Sequence, residues 1–124
     1  MADHEHLLHR QVHPSWIQQG RFTSQTFTPT PKDVGLCSVY DGNLMDSQQS
    51  FTHYTKELGK RSAGVVSVTI AEVQAVELTW RPDPEPFPEH AVIDFTGMTS
   101  NSKIKAKGVA LTEYARRRGW RYQP

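Results

Sequence analysis

Gly64-Val65-Val66-Ser67-Val68-Thr69-Ile70-Ala71-Glu72 is the stretch on which the fold turns. Its first seven residues are dense in β-branched side chains, which suit a pleated surface, so Gly64–Ile70 reads as a buried strand. Thr69 followed three positions later by Glu72 is a capping-box pattern, in which each side chain satisfies a backbone N–H of the helix start. The strand is therefore expected to pass directly into a short helix, Ile70–Leu78.

Downstream, Arg81-Pro82-Asp83-Pro84-Glu85-Pro86-Phe87-Pro88 has a proline at every second position. Each proline removes a backbone donor, which excludes helix and central strand and predicts an extended path over the surface with Phe87 tucked in. Ala91–Phe95 is an apolar strand, and a Gly/Ser/Thr/Asn loop follows it. The last helix is expected from Ser102 to Gly119, burying Ile104, Leu111 and Ala115 at helical spacing. Trp120 and Tyr122 alternate as in a closing edge strand.

Upstream, Asp46 and Gln49 form a second capping pattern, and Phe51, Tyr54 and Leu58 make one helical stripe before Gly59. His53 falls off that stripe and is expected to be exposed. Leu36–Tyr40 is a buried strand that the turn-forming Asp41-Gly42 ends, and Thr28–Gly35, with two prolines, is a loop. Arg21–Phe27 reads as a strand, but Phe22 and Phe27 cannot share a face in a regular one, so a bulge or bend is implied. Ser15–Gly20 reads as one helical turn stopped by glycine. Leu7–His13 is a strand ended by Pro14. The resulting layout, β-β-β-α-β-α-β-α-β, predicts an α+β fold with a mixed or antiparallel sheet and two to three helices on one side.

At 124 residues, one core and one domain are expected over residues 1–124, with residues 1–6 disordered. Cys37 is the single cysteine and sits in an apolar run, so it reads as a small buried hydrophobe in a reducing compartment, the cytoplasm by default. Residues 1–10 lack the apolar stretch of a secretory signal, and the apolar runs elsewhere are too short to span a bilayer, so no membrane partner is expected. The net charge is +1, but seven cations after residue 100 face the single Glu113 there, a local charge of +6 against −5 upstream. An electrostatic partner would meet the C-terminal segment first.

Several groups of residues carry possible chemistry. His4, His6, His9 and His13 suggest metal ligation, since imidazole is the commonest nitrogen ligand. In a strand, however, His9 and His13 lie roughly 13 Å apart at ~3.3 Å per residue, and no cysteine pair supports them, so no metal site is assigned. His13 and His90 stand at junctions of loop and strand, where functional groups are often mounted, and with Ser24 they are the candidate catalytic residues. Arg10, Asp33, Arg116, Arg117 and Trp120 are the candidate binding residues. Arg116, Arg117 and Trp120 on the basic final helix would track a phosphate backbone and stack a base, although cations in a last helical turn also complement the helix dipole. Glycine-rich phosphate loops, nucleophile elbows and Walker patterns are absent, so the common nucleotide-binding folds are unsupported.

The strings Leu8–Trp16, Ser24–Asp33, Ser38–Gly42, Pro82-Asp83-Pro84 and Pro88–Ala91 resemble those of a group of small bacterial single-domain proteins without an established activity. That resemblance implies a bacterial origin and no mechanism. A fainter likeness is to ADP-ribosyltransferase-like domains, which would give His9 or Arg10, Ser24 and Glu72 the roles of holding the nicotinamide ribose, supporting the pocket and orienting the sugar. The leading expectation is a binding or accessory protein that acts through its loop surface on a protein partner, without a cofactor. An NAD-consuming enzyme is the first alternative, and a nucleic-acid-binding protein using the basic helix is the second.

Overall fold

The computed structural model describes residues 6–30, 35–98 and 100–124. Strands β1 (Leu7–Gln11), β4 (Leu36–Asp41), β5 (Val65–Thr69), β6 (Thr79–Pro82) and β7 (His90–Asp94) form a five-stranded sheet in the order β5-β1-β4-β7-β6. Every neighbouring pair is antiparallel. With helices α1 (Ser47–Thr52), α2 (Ile70–Ala75) and α3 (Asn101–Arg118), the chain is an α+β domain. Two further strands, β2 (Ile17–Gln18) and β3 (Arg21–Phe22), make a small separate hairpin.

The decisive stretch folds as its composition dictates. All five residues of β5 are buried, and the Thr69–Glu72 capping box is closed in both directions, so strand passes into α2 without a linker. Asp46 and Gln49 close the same kind of box at the start of α1. Side chains alternate across a strand, and the two faces of this sheet have different covers. Leu8, Val12, Val39, Val66, Val68 and Ile93 join Val73 of α2 and Leu111 and Ala115 of α3 in the main core. The other face carries His9, Gln11, Ser67, Tyr40 and His90, and Gln11 Nε2 donates to Ser50 Oγ of α1 at 3.2 Å. Two helices therefore share the apolar side, and α1 lies over the opposite one.

Several local expectations are corrected. The helical turn expected over Ser15–Gly20 is a three-residue 3-10 turn, Pro14–Trp16, after which the chain extends into β2. Gln19 and Gly20 have φ of 53° and 79°, the positive pair that a tight two-residue hairpin turn requires. The strand expected to Phe27 stops at Phe22, and a 3-10 turn at Ser24–Thr26 replaces the bulge. That turn lets Phe22 and Phe27 both reach the core. Past Thr52 the α1 helix widens into a π-helical turn, His53–Glu57. Its buried residue is Ser50, while Leu58 of the expected stripe is exposed.

The proline-rich run begins inside a strand that the reading omitted. β6 pairs with β7 alone, as an edge position allows for Pro82. At the other edge, Tyr122 bridges Val65, which confirms a closing contact from the C-terminal residues. His6, expected to be disordered, bonds Asp41 Oδ1 at 2.5 Å and meets Trp80 edge-on at 5.1 Å. Residues 1–5, and within the Thr28–Gly35 loop residues 31–34, lie outside the described residues. Among the described residues no helix is long and apolar enough to cross a membrane.

Candidate functional site

The antiparallel register places four polar side chains in one row across the second face. Ser67 lies opposite His9, His9 opposite Tyr40, and Tyr40 opposite His90, and directly opposed residues of neighbouring strands point to the same side. The covers of this face leave its middle open. Tyr54 and Leu58 from the π turn, Lys60 after it, and Pro86 and Phe87 from the proline-rich loop wall a cleft of about 240 Å³. His9, Gln11, Ser38, Tyr40 and His90 line its sheet side.

Aromatic packing sets the walls. Phe87 stacks on Tyr40 at 5.0 Å between ring centroids, and it meets His53 at 4.6 Å and His90 at 5.3 Å. Such offset and edge contacts hold rings in place beyond what burial alone does. The Tyr40 hydroxyl and His53 Nδ1 are 2.8 Å apart. Burial, reinforced by the nearby Tyr54 and Glu89, pushes the Tyr40 phenol well above its usual range. Tyr40 therefore stays protonated, and its hydroxyl shares this hydrogen bond with the His53 ring. His53 is thus half-buried and bonded, not the exposed residue its place off the stripe suggested.

His9 is 3% exposed, and its Nδ1 lies 2.7 Å from Ser67 Oγ. Burial, with a smaller contribution from Arg121, lowers its pKa from 6.5 to about 4, against the opposing pull of Asp46 and Asp41. The imidazole is neutral at physiological pH. Gln11 beside it has both ends of its amide engaged, donating to Ser50 and accepting from Ser62 Oγ at 2.8 Å. His90 Nδ1 lies 2.9 Å from the Asp83 carbonyl oxygen and 3.6 Å from its carboxylate.

Of the candidate catalytic residues, only His90 lines this cleft. His13 caps the 3-10 turn after β1, where its Nδ1 accepts from the Ser15 N–H at 3.0 Å. Ser24 opens the next such turn and lines a different groove beside Thr28 and Lys105. Arg10 is held by the carbonyls of Thr26 and Ser38, at 2.7 Å each, with its guanidinium 5.2 Å from the Trp16 ring centroid. Arg116 donates to the Phe22 carbonyl at 2.8 Å, Arg117 sits 5.8 Å from the Tyr114 ring, and Trp120 packs edge-on to Phe22 at 5.3 Å. Arg116 and Trp120 thus fasten α3 and the C-terminal segment to Phe22, whereas the Arg117 contact lies within α3. Asp33 and His4 lie outside the described residues.

Comparison with family models, curated proteins and solved structures finds no match. The functional reading therefore rests on the geometry of the chain itself. Glu72, which the ADP-ribosyltransferase-like alternative assigns to orienting a sugar, caps α2 and pairs with Arg118 at 2.9 and 3.0 Å. Neither Glu72 nor Ser24 borders the cleft that contains His9. Among the described residues no group of three His, Cys, Asp or Glu side chains is placed to hold a metal ion.

Tyr40, Tyr54 and Phe87 line the cleft without having been candidate site residues in the sequence, and His9 was considered there only for a metal or a nicotinamide ribose. One local signal was present: His9 interrupts the apolar positions around it in a strand whose buried neighbours are Leu8 and Val12. The strand register that lines it up with Tyr40 and His90 is a long-range property.

Proposed function

We propose that the chain is a binding protein that receives a small planar ligand in the cleft between the polar row of the sheet and the loop carrying Phe87. The observation that carries this reading is the combination of a mostly ring-lined cavity with a few fixed polar groups, the usual composition of a small-molecule site. At about 240 Å³, the cleft is somewhat smaller than the usual range for such sites, roughly 300–1,000 Å³, and suits a ligand of one or two rings. Binding is favoured over chemistry because the hydroxyls beside the histidines are committed elsewhere. Ser67 is fully buried against His9, and the Tyr40 phenol is spent on His53. The loop that walls the cleft is the surface through which an accessory protein of the cytoplasm would act, and the buried Cys37 suits that compartment.

Titration with indole, followed by two-dimensional NMR of the aromatic side chains, tests the reading. A fragment of this size is expected to bind at about 1 mM, with shifts confined to Tyr40, Tyr54, Phe87 and His90. Phe87→Ala should abolish them. Absence of shifts, or shifts that survive Phe87→Ala, would count against the cleft as the binding site.

A further inference from the structure

We infer that His90 acts as a proton acceptor toward the ligand, which makes the ligand class a planar weak acid: a phenol, an enol or a cyclic imide. This inference rests on the cleft reading above and adds the chemistry of recognition to it.

The tautomer of His90 follows from its partner. A carbonyl oxygen only accepts hydrogen bonds, so the 2.9 Å contact between Nδ1 and the Asp83 carbonyl requires the proton on Nδ1. The Asp83 N–H in turn donates to the His90 carbonyl at 2.9 Å, so the loop and the start of β7 clamp each other through both backbone and ring. Neutral His90 then carries its lone pair on Nε2, and Nε2 makes no hydrogen bond with any described residue. The ring's edge-on contact with Phe87, at 5.3 Å, fixes its plane beside the space the ligand occupies.

The surroundings suit the charged form that proton transfer creates. When an O–H or N–H of the ligand meets Nε2, that bond breaks as the N–H bond forms, giving an imidazolium and an anionic ligand. The Asp83 carboxylate, 3.6 Å from Nδ1, stabilises the imidazolium, as the orienting carboxylate of a histidine base does. Of the described residues that line the cleft, Lys60 alone is permanently charged, and it offers a cation to the ligand anion. Of the other titratable groups facing this space, Tyr40 and His9 are neutral at physiological pH.

The test uses 4-nitrophenol, whose phenolate absorbs visible light while the phenol does not, beside its methyl ether 4-nitroanisole, which has the same ring and no acidic proton. The full chain is titrated with each at neutral pH, where an unperturbed imidazole is mostly neutral, and the phenolate band is read against free 4-nitrophenol at the same pH. The expected result is binding of 4-nitrophenol at least about tenfold tighter than 4-nitroanisole, with growth of the phenolate band. The His90 Cε1–H resonance of the unaltered chain should move to its imidazolium position with the phenol and not with the ether. His90→Phe should erase both the preference and the band. Equal affinity for the two probes, or no movement of the His90 resonance, overturns the proton-acceptor assignment and leaves the cleft reading standing. Failure of both probes to bind overturns the cleft reading itself.

Discussion

Replacing Gly108 by alanine should destabilise this protein, against the ordinary preference of helices. Gly108 is buried in the middle of α3, where alanine over glycine is worth about 1 kcal/mol of helix propensity. A Cβ at this position would stand 2.0 Å from Thr28 Oγ1, 3.0 Å from Thr28 Cβ and 3.2 Å from Thr28 Cα. The last two atoms are fixed to the backbone, so rotation of the Thr28 side chain cannot clear the space. Rotation would also break the bond from Thr28 Oγ1 to the Ser24 carbonyl, 2.7 Å long, at a cost of about 1 kcal/mol. Overpacking of a tight contact adds about 1–3 kcal/mol. The net effect is a loss of about 1–3 kcal/mol, read as a fall in Tm of about 3–15 °C. Urea unfolding followed by circular dichroism and tryptophan fluorescence measures it. The companion experiment places Gly108→Ala in a Thr28→Gly background, where the obstructing atoms are gone and the same substitution should turn stabilising. If Gly108→Ala alone is as stable as the parent, α3 does not approach the Ser24–Thr28 segment as closely as argued.

Two further outcomes follow from the second face of the sheet. His9 is held neutral down to about pH 4, whereas the unfolded chain takes up its proton near 6.5. Between those values the unfolded state binds more protons, so stability falls as the pH drops through this window, by about 3 kcal/mol in all, and is unaffected by His9 above it. His9→Gln should flatten this part of the profile of urea midpoint against pH, and an unchanged slope in the variant would show that burial of His9 is not its source. Tyr40→Phe removes the 2.8 Å bond to His53 and should cost about 1 kcal/mol. A double-mutant cycle with His53→Ala should return a coupling of similar size, and a coupling near zero would separate the two rings.

The parts of this structure legible in the sequence are those decided locally. β5 and α2 could be read because a β-branched run and the Thr69–Glu72 pair are complete within nine residues, and the capping of α1 and the length of α3 follow from equally short patterns. Phe22 and Phe27 showed that a regular strand was impossible between them. Choosing a 3-10 turn over a bulge depends on contacts such as Thr23 Oγ1 donating to the Trp16 carbonyl at 2.8 Å, which no local pattern encodes. β6 was missed for the opposite reason, since proline density argues against strand unless the strand is known to lie at an edge. The site was least legible of all. His90 was found from its place at a loop junction, but its neighbours in the row come from β1, β4 and β5, and only the register joins them.

The polar row bears on function through its cost. β1 is an inner strand, flanked on both sides, and buried polar side chains there weaken the fold unless each is satisfied. Where this face has only to be covered, the chain uses valine: Val65 and Val92 are buried and stand outside the main core. Between them it places His9, Gln11, Tyr40 and His90, and it supplies Ser67, Ser50, Ser62, His53 and the Asp83 carbonyl to satisfy them. A sheet needing only stability would replace the row with aliphatic residues and close the gap between the π turn and the Phe87 loop. Nε2 of His90 makes no hydrogen bond with a described residue, and His90 belongs to the wall of the cleft that this row leaves open. His90 therefore turns Nε2 toward the cleft while its Nδ1 is held by the Asp83 carbonyl, and this is the physical ground on which the proposal places the ligand here and not on the basic surface of α3.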